Sequence, residues 1–254
     1  MSYRTQMDRS AFVAGATGYT GREVVRQLRD RGVRTVAHVR VGSVASRWVD
    51  AFRGWGAEVD EVPWDPGALR DALGRARPDV VFSLVGTTRA RAKRESLQAE
   101  DIYDAVDFRL HAMLVDAVSA ACPNARLVYL SSLGADASSR NPYLAARGRS
   151  ERKLVESGLP FTIARPSFIS GPDRDRPRRL ERITAQAADR LLGLAGALGA
   201  RGVRERYRPI DNVSLARALI AAAFDRALAG RTLQAEDLQR LSAAAGAEAS
   251  AARS

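Results

Sequence analysis

A glycine-rich segment close to the amino terminus has the residue types and the spacing of a phosphate-binding turn. Gly15, Gly18 and Gly21 recur every third residue, after an apolar run and before a helical pattern. The first glycine would permit a tight turn, the second a close approach of the pyrophosphate, and the third close packing of helix on strand. Helix amides would then face the phosphates of a nicotinamide dinucleotide. The predicted cofactor residues of this segment are Gly15, Thr17, Gly18, Tyr19, Thr20 and Gly21.

The end of the second predicted strand refines the choice of dinucleotide. Sites that prefer NAD(H) usually have an acidic residue there, against the 2′-hydroxyl of the ribose. This chain has Arg40 instead, and Arg22 follows the last glycine of the turn. Because a guanidinium can pair with a 2′-phosphate, we predict that NADP(H) is preferred over NAD(H). The alternative is that Arg40 is an ordinary surface residue of an arginine-rich chain.

Two further polar features have more than one interpretation. Asp65, at the end of the third predicted strand, is placed to contact the adenine amino group, or it caps the helix that begins near Pro66. The sequence favours neither. Asp107 and His111 are four residues apart in a long predicted helix and could polarise a group in the crevice. For His111 we favour the alternative, a core or surface histidine.

These candidate residues need a scaffold in which strands alternate with helices. Strands are predicted at residues 10–14, 35–39, 58–64, 79–86, 126–132 and 160–166, and helices at 44–52, 68–73 and 102–121. A strand-like pair at 209–210 leads into a helix capped by Asp211 or Asn212. The order predicts an α/β fold, a doubly wound, Rossmann-type parallel sheet with a small C-terminal substrate lid. We expect one NAD(P)-binding domain over residues 1–241, the lid at about 172–208, and a disordered tail at 242–254.

The composition limits the classes of function. The net charge of +11 would suit a nucleic acid, but the basic residues are scattered, nearly all arginine, and not interleaved with aromatic residues. We therefore expect a small-molecule substrate and no nucleic acid, and leave a homo-oligomer open. One cysteine and two histidines argue against a structural metal site. The polar amino terminus and the lack of a membrane-spanning apolar stretch predict a cytoplasmic protein.

Further stretches carry a family resemblance. VFSLVGTTRARA begins within the fourth predicted strand, VYLSSLGADASSRNPYLAARGRSE within the fifth, and TIARPSFISGP within the sixth. With GATGYTGREV, over roughly residues 11–222, they resemble the atypical short-chain dehydrogenase/reductases, and among these the Tat-interacting oxidoreductase family and its bacterial NAD(P)H-binding relatives. The resemblance implies that residues after the fourth strand line the cofactor and that the turn after the sixth strand covers its nicotinamide end. The residues so assigned are Gly86, Thr87, Thr88, Pro166, Ser167 and Phe168.

The same resemblance implies a catalytic set. In the family, a serine follows the fifth strand, and a tyrosine and a lysine stand four residues apart on the next helix. Ser132 (or Ser131) and Tyr143 match, but Arg147 stands at the lysine position. Tyr143 would be the acid and base, Ser132 would hold the substrate carbonyl, and Arg147 would stabilise the ionised phenol. Arginine carries the same charge as lysine, but it is longer, planar and always protonated, so it is not an equivalent part.

Two functions stay open because of this substitution. The first is an NADP(H)-dependent oxidoreductase that acts on a carbonyl or an alcohol. The second is a catalytically weak or inactive NADP(H)-binding protein, such as a redox sensor or regulatory protein. A sugar-nucleotide epimerase is disfavoured, because the short chain after the sixth strand leaves little room for a nucleotide-sugar domain.

Overall fold

The computed structural model describes residues 9–40, 46–86, 102–171 and 208–251. The strands are β1 Ser10–Ala14, β2 Arg34–Val39, β3 Glu58–Glu61, β4 Val80–Ser83, β5 Arg126–Leu130, β6 Phe161–Ala164, β7 Ile169–Ser170, β8 Ile210–Asp211 and β9 Arg231–Leu233. The helices are α1 Tyr19–Asp30, α2 Ser46–Gly54, α3 Pro66–Ala76, α4 Leu110–Ala121, α5 Pro142–Glu156, α6 Asn212–Phe224 and α7 Ala235–Ala251. A π-helical turn, Tyr103–Arg109, runs directly into α4, and a short 3₁₀ turn, Arg226–Leu228, follows α6.

The main sheet has the topology of a doubly wound α/β fold. Its seven strands lie in the order β3-β2-β1-β4-β5-β6-β9, and every neighbouring pair is parallel. Strands β7 and β8 pair separately. The strand order reverses between β1 and β4, and ligands of such sheets bind in the crevice outside the carboxyl ends at that point. The predicted Rossmann-type fold is therefore confirmed.

Two helical layers cover the sheet, one on each face. In β1, Ala11 and Val13 pack into one core, while Phe12 and Ala14 pack into the other. The first core also receives apolar residues of α1, α2, α6 and α7, and the second receives those of α3, α4 and α5. Burial on both faces explains why the strands read as continuous apolar runs.

Some predicted boundaries change for identifiable reasons. Strand β3 stops at Glu61, short of Pro63, which has no amide hydrogen to donate. Strand β4 stops at Ser83, so Leu84 to Gly86 are irregular backbone at the crevice. Strand β9 was missed because three residues carry no measurable periodicity.

The expected disordered tail from residue 242 is wrong as far as Ala251. Helix α7 continues through that residue, and Ser242 is buried within it. The segment is rich in alanine, which has the highest helix propensity. It can therefore form a helix although it contains few large apolar residues. The predicted lid at about 172–208 lies, apart from residue 208, outside the described residues.

Within the four described ranges, none of the helices combines the length and the apolar character that a membrane span requires. The same ranges contain no group of three or more His, Cys, Asp or Glu side chains arranged to hold a metal ion.

Candidate functional site

The glycine turn between β1 and α1 is built so tightly that side chains would not fit at its ends. Gly15 has φ +83°, and a Cβ there would lie 2.7 Å from the backbone carbonyl carbon of Leu84. A Cβ at Gly21 would overlap the carbonyl oxygen of Gly15. Between them, the amide of Gly18 donates to the Gly15 carbonyl at 3.0 Å. The turn therefore needs glycine at its first and third positions for steric reasons alone.

The start of α1 offers backbone amides to an anion. Helix α1 begins at Tyr19, the preceding Gly18 is exposed and extended, and no side chain caps the helix. Its first turn contains no acidic residue. The positive end of the helix dipole therefore faces the crevice without a protein carboxylate in its first turn. This backbone cradle fits the pyrophosphate of a dinucleotide.

Other residues of the turn have different surroundings. Thr17 is half-buried at the turn, whereas Thr20 is buried on α1. The Tyr19 hydroxyl donates to the carbonyl of Ser170 at 3.3 Å, and a Cβ at Gly171 would overlap that hydroxyl. Tyr19 thus joins the glycine turn to the end of β7, a contact between residues 151 positions apart that spacing could not indicate.

Two arginines belong to elements that meet at the carboxyl ends of β1 and β2. Arg40 directly follows β2 and is exposed. The Arg22 guanidinium lies over the ring of Trp48, 4.2 Å from its centroid, and 5.9 Å from that of Tyr19. The aromatic rings hold the Arg22 cation at the start of α1.

Asp65 is the N-cap of α3. Its carboxylate accepts a hydrogen bond from the amide of Ala68 at 2.9 Å, and its backbone is extended. The helix-capping interpretation is confirmed. The contact with adenine stays a prediction, because the cap uses only Oδ1.

The two serines after β5 differ in how their hydroxyls are used. Ser131 is buried and donates to Glu151 at 2.5 Å, and Glu151 also pairs with Arg165. Ser132 is half-buried, and its hydroxyl makes a long contact of 3.4 Å with the Leu133 carbonyl. Ser131 is thus tied into an ion-paired network, whereas Ser132 fits better the role of holding a substrate.

Tyr143 lies in the first turn of α5, where Asn141 caps the helix by accepting from the Tyr143 amide at 3.0 Å. The half-buried Tyr143 ring packs edge-on against Tyr103, with centroids 5.4 Å apart. The guanidinium carbon of Arg147 is 5.3 Å from the Tyr143 ring centroid. Tyr143 and Arg147 therefore share one face of the helix, as their spacing predicts.

Arg147 is buried among protein groups. It is 6% exposed and forms an ion pair with Asp107, Nη2 to Oδ1, at 2.7 Å. Its Nη1 donates to the Leu130 carbonyl at 2.8 Å and to the Tyr129 hydroxyl at 3.1 Å. Burial by itself would lower the pKa of Arg147, but Tyr129, Tyr143 and Asp107 outweigh it and raise that pKa. The guanidinium is permanently charged. It directs its N–H donors at the end of β5 and at Asp107 in the π-helical turn before α4.

The residues assigned to the nicotinamide end are only partly described. Gly86 is exposed after β4, and a Cβ there would overlap Nη2 of Arg147. Pro166 is buried, and its carbonyl accepts from Leu133 at 2.9 Å. The Ser167 hydroxyl donates to the backbone carbonyl of residue 208. Phe168 is 62% exposed. Thr87 and Thr88 lie outside the described residues.

His111 is a core residue, as favoured from the sequence. Its Nδ1 is 2.8 Å from the Ser83 hydroxyl, and its ring centroid is 4.0 Å from that of Tyr129. Burial, helped by the charge of Arg147, lowers the pKa of His111 to about 3, so the ring is neutral. The carboxylate of Asp107 pairs with Arg147. No spacing pattern indicates that pair, because its members are 40 positions apart.

Sequence comparisons place these features among known proteins. Residues 15–190 match the model of a family described as NAD(P)H-binding. The chain is 28% identical over 207 residues to Protein TIC 62, chloroplastic, of Pisum sativum, and 32% identical over 148 residues to Protein FMP52, mitochondrial, of Coccidioides immitis. The matches cover 73% and 57% of this chain but only 37% and 54% of those proteins. Because their names place them in organelles, the cytoplasmic location stays a prediction.

Solved structures with a similar fold include a candidate epimerase from Burkholderia cenocepacia J2315, with a TM-score of 0.62 and 22% identity over 94% of this chain and 82% of that one. A candidate NAD-dependent epimerase/dehydratase from Bacillus halodurans has a TM-score of 0.61 and 17% identity over 91% and 99% of the two chains. At such identities the likeness shows the fold alone.

Proposed function

Because the chain belongs to the NAD(P)H-binding family that it matches over residues 15–190, we propose that it is an NADP(H)-dependent oxidoreductase that acts on a carbonyl or an alcohol. The observation that carries the proposal is the glycine turn, which presents the uncapped start of α1 at the switch point of the sheet. The chain spans about half or less of the first curated relatives, so its activity is argued from its own residues.

The preference for NADP(H) is supported by the residues near the end of β2. Arg40 is exposed where a ribose 2′-substituent would lie, and Arg22 is held over Trp48 near the same edge. A charge-assisted hydrogen bond contributes about 1.5–3 kcal/mol, which is roughly a tenfold to hundredfold preference.

The preference is tested by titrating the protein with NADPH and NADH. We expect NADPH to bind at least about tenfold more tightly, and Arg40→Ala to remove most of the difference while NADH affinity changes little. The matched control is Arg70→Ala, which removes an exposed arginine on α3 and should leave both affinities unchanged. Equal affinities in the parent protein would disprove the preference.

The chain's own residues supply a route for the proton. When bound, the dinucleotide supplies or accepts a hydride. Tyr143 would exchange a proton with the carbonyl oxygen of the substrate, and Ser132 would hold that oxygen by a hydrogen bond. Arg147, whose guanidinium carbon is 5.3 Å from the Tyr143 ring centroid, would be the supporting cation beside this acid and base. The opposite charge of Asp107 offsets part of the charge of Arg147.

That offset favours a second candidate function, an NADP(H)-binding regulatory protein with weak or no catalysis. NADPH oxidation by a panel of aldehydes, ketones and quinones separates the two. For the enzyme we expect turnover that Tyr143→Phe lowers by about a hundredfold or more with NADPH binding retained. Tight NADPH binding without turnover of any substrate would favour the regulatory protein instead.

A further inference from the structure

A buried ion pair lies beneath the carboxyl ends of β4 and β5. It consists of Asp107, which is fully buried in the π-helical turn, and Arg147, which is 6% exposed on α5. We call this pair the Asp107–Arg147 strut. The Tyr129 hydroxyl accepts from Arg147, and the Ser150 hydroxyl donates to the backbone carbonyl of Asp107 at 2.9 Å. The strut is therefore fixed from both sides.

The strut touches the backbone of both strand ends. Nη1 of Arg147 donates to the Leu130 carbonyl at the end of β5 at 2.8 Å, and it lies 3.4 Å from the Val85 carbonyl just after β4. Nη2 occupies the space that a Cβ at Gly86 would need. The φ of Gly86 is not in the left-handed region, so a side chain at this position would be opposed only by the ion-paired end of Arg147 and its neighbour Asp107.

Stability alone gives little reason for such a pair. Burying two charges removes both from water, and an apolar pair of similar volume is often as stable. The strut also lies away from the glycine turn. A doubly wound sheet holds one half of a dinucleotide over β1 to β3 and the other half beyond the switch point, on the β4 side. Arg40 stands on the first side and the strut on the second.

We infer that the Asp107–Arg147 strut positions the nicotinamide half of the dinucleotide site. Arg147 is a positioning residue that fixes the backbone from Val85 to Gly86 against the end of β5, and Asp107 positions Arg147. The inference rests on the proposed function. It predicts that Arg147 cannot be replaced by lysine, whose single ammonium cannot bind Asp107, Leu130 and Tyr129 in the same planar geometry.

The test compares a whole dinucleotide with its adenosine half. Calorimetric titration with NADPH and with 2′,5′-ADP would be made on the parent, Asp107→Asn and Arg147→Lys (with NADH and ADP if the parent prefers NADH). We expect both variants to bind NADPH about tenfold more weakly, while 2′,5′-ADP affinity stays within about twofold of the parent value. Retained 2′,5′-ADP binding also shows that the variants are folded.

Two further variants keep the test decisive. Asp116→Asn makes the same change on α4 at an exposed residue that pairs with Lys153, and it should alter neither affinity. If Asp107→Asn and Arg147→Lys do not fold, Tyr129→Phe removes one partner of Arg147 and should weaken NADPH selectively, to a smaller extent.

The outcomes separate the inference from the proposed function. Unchanged NADPH affinity, or an equal loss for both ligands, would overturn the inference and leave the proposed function standing. A parent protein that binds neither NADPH nor NADH would overturn the proposed function, and the inference with it.

Discussion

The two sides of the crevice are formed by different chemical groups. At the β1–α1 turn, the walls are backbone and glycine, and the charge offered to a ligand is the end of a helix dipole. Beneath β4 and β5, the support is a buried ion pair with a tyrosine and a neutral histidine around it. Phosphate recognition can rest on backbone amides that any sequence possesses, whereas the second side depends on particular side chains.

The two sides should therefore lose their structure through different substitutions. The glycine turn fails when atoms are added, because no space exists for them. The Asp107–Arg147 strut fails when a charge is removed, because its partner is then left buried and unpaired. Removing a charge should therefore affect the second side alone, whereas an added methyl group is costly wherever it meets backbone.

The largest effects are expected where an added methyl group meets backbone. A Cβ at Gly21 would overlap the carbonyl of Gly15, and a Cβ at Gly148 on α5 would overlap the backbone of Asp136 and Ala137. Backbone moves less readily than side chains, so we expect Gly21→Ala and Gly148→Ala each to lower the free energy of unfolding by about 3 kcal/mol. Denaturant unfolding measures this loss.

A third helical glycine is the matched control. A Cβ at Gly74 on α3 would meet no atom within 4 Å. Alanine has the higher helix propensity, so Gly74→Ala should raise the free energy of unfolding by about 0.5–1 kcal/mol. If Gly21→Ala behaves like Gly74→Ala, the glycine turn has room for an added methyl group, and the two sides do not differ in the way proposed.

Most of the fold could be predicted from the sequence, because each buried parallel strand is a local apolar run. Strand β1 has the predicted bounds, and β8 leads into a helix capped by Asp211, one of the two predicted caps. The glycine turn is equally local, since its three glycines lie within seven residues. The elements that could not be predicted are short or weakly patterned: β9 has three residues, and α7 is mostly alanine and polar residues.

The second side could not be predicted in the same way. Asp107, Tyr129 and Arg147 lie on three different elements, and no spacing rule relates them. Composition gave no help either, because Arg147 is one of many arginines. The need for glycine at position 148 was also invisible, since only the packed loop at residues 136–137 creates it.

The pH dependence of stability should differ between the two histidines. In the unfolded chain, histidine titrates near pH 6.5, whereas burial lowers the pKa of His111 to about 3. Between these values the unfolded state binds the extra proton, so the stabilisation is complete above pH 6.5 and is lost as the pH falls. From about pH 7.5 to about pH 5 the loss amounts to about 2 kcal/mol.

His111→Gln should remove this dependence, measured as the free energy of unfolding at several pH values. His38, on β2, is the control from the other side, because burial also lowers its pKa while its ring contacts the Val62 carbonyl. We expect His38→Gln to flatten the curve less. Parallel curves for the parent and His111→Gln would show that His111 does not titrate with unfolding.

The smallest effects concern two exposed helix caps, one on each side. Asp65 caps α3 through Oδ1, and Asn141 caps the turn of α5 that carries Tyr143. Alanine at either position should lower the free energy of unfolding by about 1 kcal/mol. If the second carboxylate oxygen of Asp65 accepts from adenine, Asp65→Ala alone should also weaken NADPH binding, by about threefold to tenfold. Asn141→Ala, matched in stability, should leave that affinity unchanged, and an equal affinity in both variants would make Asp65 a helix cap only.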